Sequence, residues 1–199
     1  MDFSKGIAKD CATAVIIPVI IAAPSEVDDI AHKIEILRIA NPDPMFRFVI
    51  LSDLADAQRQ RLPEDEAIEA ALRRRIDDLN RRHTADNGPP FLLLHRRRKY
   101  NAAEGCWMAW ERKRGKIEDF NRYVLGIGDD AFDVVTGPVN TLRGIRYAIT
   151  LDADTQMSPG SGARLVGILA HPLNRAVVDQ ESGRVVAGHA ILQPRIEIL

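Results

Sequence analysis

The chain has 199 residues, 46% apolar and 28% charged, with a net charge of −1. This describes one ordinary α/β-sized domain and excludes a protein drawn to nucleic acid or anionic lipid by its overall field. Two cysteines, Cys11 and Cys106, exclude a disulfide framework and a cysteine-ligated zinc site.

The most apolar stretch, Cys11 to Ser25, is interrupted by Pro18 and Pro24. It falls short of the roughly 20 residues that span a bilayer, and Met1-Asp2-Phe3 lacks the cationic start of a signal peptide. Within the stretch, Val15 to Ile21 predicts a strand apolar on both faces, bent or ended at Pro18 because proline donates no ladder hydrogen bond. Ser25 with Asp28 three residues on predicts a capped helix with Val27, Ile30, Ile34 and Leu37 on its buried stripe, stopped at Asn41-Pro42. Phe46 to Leu51 predicts a second strand that closes on Ser52-Asp53. Pro63 then opens a helix with acids in its first turn, Arg81 and Arg82 in its last, and Ile68, Leu72, Ile76 and Leu79 on one face.

After a turn at Asp86 to Pro90, Phe91 to Leu94 predicts a third strand. A polar loop follows, then a helix near Lys116 to Leu125 with Ile117, Phe120 and Val124 inward. Phe132 to Val135 predicts a short strand, and Tyr147 to Leu151 a buried one ending at Asp152. A helix from Ser158-Pro159-Gly160 carries Leu165, Val166 and Leu169. A hairpin is expected over Ala176 to Val186, and a last strand over Ala190 to Gln193. Strands alternating with amphipathic helices predict a mainly parallel central sheet covered on both faces.

Asp152-Ala153-Asp154 is the only Asp-x-Asp in the sequence. Ligands of open α/β sheets bind outside the carboxyl ends of the strands. Two carboxylates at such an end can share Mg²⁺ or Mn²⁺, which keeps further positions for phosphate oxygens. A loop or helix-capping role is the competing reading of Asp152 and Asp154. Between Arg96 and Lys116 there are eight Lys/Arg against two acids, and the run Glu111 to Lys116 just before a helix suits phosphate; a solvated charge run is the alternative. Asp53 closes the second strand, where it can accept hydrogen bonds from a base or ribose or simply form a turn. Trp107 and Trp110 read as core or wall. The five histidines lack metal-ligand spacing, and neither a P-loop nor a dinucleotide fingerprint is present.

Taken together, the blocks Trp107 to Lys116, Ile149 to Gln156, Leu169 to Arg175 and Ile191 to Arg195 resemble the glycosyltransferase segment of the cyclic β-1,2-glucan synthases. Ala40 to Pro44 and Leu62 to Glu66 fit as well. The resemblance implies a GT-A fold, a divalent metal, UDP-glucose as donor, a glucan acceptor and inverting transfer. It implies that Asp152 and Asp154 hold the metal and that Pro18, Asp53, Arg112, Gly115, Lys116 and Asp152 contribute to the nucleotide-sugar site, with Asn121 further along. It also implies that residues 1–199 act as one donor-binding domain within a large enzyme on the cytoplasmic face of a bacterial inner membrane. Processive inverting relatives carry a further catalytic-base aspartate and a Gln-x-x-Arg-Trp motif. No tryptophan follows Trp110, so the base is expected beyond Leu199 and little turnover by the chain alone. Two alternatives remain: a sugar-1-phosphate nucleotidyltransferase, which would need a glycine-rich loop where Ala22-Ala23-Pro24-Ser25 stands, and a non-catalytic nucleotide-binding fragment.

Overall fold

The computed structural model describes residues 3, 6–84, 88–128 and 130–195. Asp86 and Asn87 of the expected turn lie outside them. A five-stranded sheet forms the centre, in the order β6-β3-β2-β1-β7. Its members are β1 (Thr13–Ile21), β2 (Phe46–Leu54), β3 (Phe91–Arg96), β6 (Val134–Thr136) and β7 (Tyr147–Thr150). The β1, β2, β3 and β7 strands pair in parallel, and β6 adds an antiparallel edge beside β3.

Alternate residues of the strands feed two cores, as period-two geometry requires. Val15, Ile17 and Val19 of β1, with Phe46, Phe48 and Ile50 of β2 and Phe91 and Leu93 of β3, face one side. There they meet Ile34 and Leu37 of α1 (Glu26–Ala40), Ile68, Leu72, Ile76 and Leu79 of α2 (Asp65–Arg82), and Val166 of α4 (Ser161–Leu169). Ala14, Ile16, Val49, Leu51, Leu92 and Leu94 face the other side, under Phe120 of α3 (Arg112–Leu125) and Leu142. Each fully buried Leu, Ile or Phe contributes roughly 2 kcal/mol by its removal from water. Helices cover both faces, and the fold is mixed α/β and GT-A-like.

Several local expectations change. Strand β1 runs straight through Pro18, which pairs with Leu51. The Ile16 carbonyl accepts from Leu151 N at 3.0 Å, so position 18, two residues on, also points toward β7. That strand has already ended opposite Ile16, and no ladder bond is lost. Ser25 makes no capping bond; instead the Glu26 carboxylate accepts from Ala22 N, and Asp28 pairs with Arg75. The α2 helix starts at Asp65 rather than Pro63. Strand β7 is a half-exposed edge strand, not a buried one. The loop before α3 contains a hairpin of β4 (Lys99–Asn101) and β5 (Cys106–Met108). An exposed hairpin of β8 (Val177–Val178) and β9 (Val185–Ala187) is present, but 190–193 forms no strand. Among the described residues no helix is long and apolar enough to cross a membrane.

Candidate functional site

The carboxyl ends of β2 and β3 carry a buried charge network. Asp53 on β2 and Arg96 on β3 are register partners. Their side chains join in two parallel bonds, Nε to Oδ1 and Nη2 to Oδ2, each 2.9 Å. Arg96 also donates to the Asp119 carboxylate at 2.7 Å and to the Arg112 carbonyl at 3.1 Å. From α3, Lys116 places its ammonium 2.9 Å from Asp53 Oδ2 and donates to the Val19 carbonyl. The side chains of Asp53 and Lys116 are each 1% exposed and that of Arg96 is 4% exposed. Burial pushes the Lys116 ammonium down from its ordinary value against the pull of Asp53. Burial also works against Arg96, but Asp53 and Asp119 outweigh it and hold that guanidinium above its ordinary value.

Next to this network, His95 Nδ1 and the Ser52 hydroxyl share a 2.8 Å hydrogen bond, while His95 Nε2 is buried without a partner among the described residues. Burial lowers the His95 pKa to about 4, so the ring is neutral. A second buried pair, Arg98 with Asp65, ties β3's exit to the start of α2.

At the end of β7 the surroundings differ. Buried Leu151 anchors a turn in which Thr155 N donates to the Asp152 carbonyl at 3.0 Å. Lys33, reaching across from α1, donates to the Asp152 carbonyl at 3.1 Å and to the Ala153 carbonyl. Burial lowers the Lys33 pKa, with Asp154 and Asp152 opposing. The Asp152 carboxylate meets Lys113 from the first turn of α3. Both side chains are exposed, 57% for Asp152 and 52% for Lys113, and Asp154 is exposed too.

Helix α3 begins at Arg112, four residues earlier than expected, so the cationic run is its opening turn rather than a loop before it. Glu111 and Arg112 both take left-handed backbone (φ 51 and 45), a conformation that costs a non-glycine residue roughly 1 kcal/mol or more. Gly115 faces the turn they make. A β-carbon there would stand 2.6 Å from the Trp110 ring and 2.8 Å from Glu111 Cβ, which explains the glycine by close packing. The run is thereby divided. Arg112 bonds Asp56 and Glu104; Arg114 bonds Glu111 and stacks over Trp110; Lys116 is buried on Asp53; Lys113 faces Asp152. Beside Arg112 opens a cleft of about 690 Å³, walled by Tyr100, Met108, Trp110 and Asp119.

The structure thus brings Asp53, Gly115 and Lys116 together beneath the surface, and places Asp152 and Asp154 at the rim, Asp152 in contact with the same helix. Pro18 is buried within β1 and Asn121 is exposed on α3. Among the described residues no group of three or more His, Cys, Asp or Glu forms a metal cage. Two exposed carboxylates one residue apart nonetheless fit a hard cation that takes one or two protein oxygens and completes its shell with phosphate and water. Sequence reading missed Arg96, Arg98, Asp65, His95 and Lys33. For Arg96 and Asp65, their places at the end of an apolar strand and beside a helix start were the available signals.

No family model matches the chain. It is 40% identical over 195 residues, 98% of its length, to the cyclic beta-(1,2)-glucan synthase NdvB of Rhizobium meliloti (strain 1021), and spans 7% of that protein.

Proposed function

This chain is homologous to one segment of a cyclic β-(1,2)-glucan synthase, and from that premise we propose that it is the donor-binding part of an inverting glycosyltransferase. In this reading it binds UDP-glucose, and the glucose passes to a growing β-1,2-glucan. The observation that carries the reading is the turn at the end of β7. It presents Asp152 and Asp154 at the carboxyl rim of the sheet, beside the cationic start of α3. Asp152 and Asp154 would hold Mg²⁺ or Mn²⁺ there, and the bound ion would supply positive charge against the departing diphosphate.

The chain's own residues orient the donor. Lys33 fixes the turn by its carbonyls. Asp53, Arg96 and Lys116 make a rigid floor joining β2, β3 and α3, and Gly115 lets that helix sit close against Trp110. Arg112 and Pro18 are proposed as further contributors to the nucleotide-sugar site, Arg112 from the cleft side. The aromatic wall of Tyr100 and Trp110 suits a sugar chain, whose C–H faces pack on aromatic rings while its hydroxyls meet polar side chains. The sequence contains no Gln-x-x-Arg-Trp acceptor motif, so donor binding without appreciable turnover is expected of the chain by itself. Its proposed setting is the rest of a large synthase, on the cytoplasmic face of a bacterial inner membrane.

The test is calorimetry with UDP and Mn²⁺ on the chain and on its Asp152→Ala plus Asp154→Ala variant. Binding is expected to depend on Mn²⁺ and to weaken at least about tenfold in the variant, the scale of one lost charge-assisted contact. Undiminished binding by the double variant defeats the proposal.

A further inference from the structure

We propose that Lys113 is a diphosphate-binding residue held on Asp152 as an internal counter-ion until a divalent cation and the donor arrive together. This rests on the donor-site reading above and adds a residue to it. Most of the cations near the rim are already engaged. Arg112 is engaged by Asp56 and Glu104, Arg114 by Glu111 and the Trp110 ring, and Lys116 is buried on Asp53 and the Val19 carbonyl. Arg96 is locked between Asp53 and Asp119, and Arg98 on Asp65. Of the run on α3, Lys113 is the member whose ammonium stands at the Asp-x-Asp turn.

Its contact is of a kind that exchanges. Both partners are more than half exposed, and such a lysine–carboxylate pair contributes little stability and competes poorly with a stronger ligand. A divalent cation is that stronger ligand for Asp152, because a hard cation gathers carboxylate oxygens. The ammonium it displaces stays on the first turn of α3, within reach of the Asp-x-Asp turn and free to take a phosphate oxygen.

Charge balance then couples the two ligands. Lys33 and Lys113 together match the two carboxylates of Asp152 and Asp154. A cation arriving alone must compete with Lys113 and leave an excess of positive charge. A diphosphate arriving with it removes that excess by taking Lys113 as its own partner. Cation and diphosphate therefore bind better together than separately, and Lys113 carries part of that coupling.

The test separates this from a structural role because its two arms move in opposite directions. Mn²⁺ binding is measured by electron paramagnetic resonance without nucleotide, and UDP binding by calorimetry at saturating Mn²⁺, for the chain, Lys113→Met and Arg114→Met. For Lys113→Met, Mn²⁺ alone is expected to bind about threefold to tenfold more tightly and UDP about tenfold more weakly. Arg114→Met, whose partners lie away from the turn, is expected to change neither. Constants for Lys113→Met that are unmoved, or that move the same way, overturn the assignment of Lys113 alone. A native chain that takes Mn²⁺ but no UDP overturns the donor-site reading and this assignment with it.

Discussion

Two clusters of opposite charges lie at one edge of the same sheet and share helix α3, yet they differ in nearly every physical respect. At β2 and β3, Asp53, Arg96, Lys116 and Asp119 are buried or nearly so and multiply bonded. At β7, Asp152, Asp154, Lys113 and Lys33 are open to water or partly so. Residue type does not separate them; burial does. Charges removed from water persist only when their partners are held in place, because an orphaned one is costly. Charges left in water are cheap to separate and free to take new partners. The first cluster is therefore framework and the second is exchangeable.

The largest expected effect breaks the framework. Arg96→Met removes the guanidinium that joins buried Asp53 to the partly buried Asp119, and is expected to destabilise the fold by about 3–5 kcal/mol in denaturant titrations. A loss below about 1 kcal/mol would erase the distinction between the clusters.

The next concerns His95, which packs beside that framework. Its folded-state pKa of about 4 lies below its ordinary 6.5, so between these values the unfolded chain binds a proton that the folded chain refuses. Its contribution is intact above pH 6.5, is lost progressively as pH falls, and levels off below about 4. The total is about 3 kcal/mol. Replacing it in His95→Gln is expected to flatten that limb when stability is followed from pH 7.5 to 4. An unchanged slope sinks the claim.

The smallest effect sharpens the other side. Lys113→Met, whatever it does to ligands, is expected to leave unfolding stability within about 0.5 kcal/mol of the native chain, as read from the denaturant midpoint at constant slope. A larger loss would make that lysine framework as well.

The order of the main elements was legible because it rests on local periodicity. The stripe Ile68, Leu72, Ile76, Leu79 is buried as its spacing requires, and the apolar run of β3 is buried on both faces. What escaped reading depends on residues distant in sequence. Arg96 and Asp53 are 43 apart, and Arg98 and Asp65 are 33 apart; a guanidinium in a run of arginines looks solvated until its carboxylate is known. The β4–β5 hairpin escaped because Tyr100 and Trp107 pair across it amid polar residues. The final strand over 190–193 was expected from apolar content alone. The Asp-x-Asp was visible as a motif, but its lysine neighbours, one of them 119 residues away, were not.

The left-handed pair at Glu111 and Arg112 sets a phase. Successive helical residues point about 100° apart, so the angle at which α3 is launched decides which side chain of the basic run serves which neighbourhood. Shifting that launch point by one residue would hand the place of Lys113 to a neighbour in the run without altering composition or charge. Identity at this rim is thus written in rotation, and a tally of basic residues is blind to it.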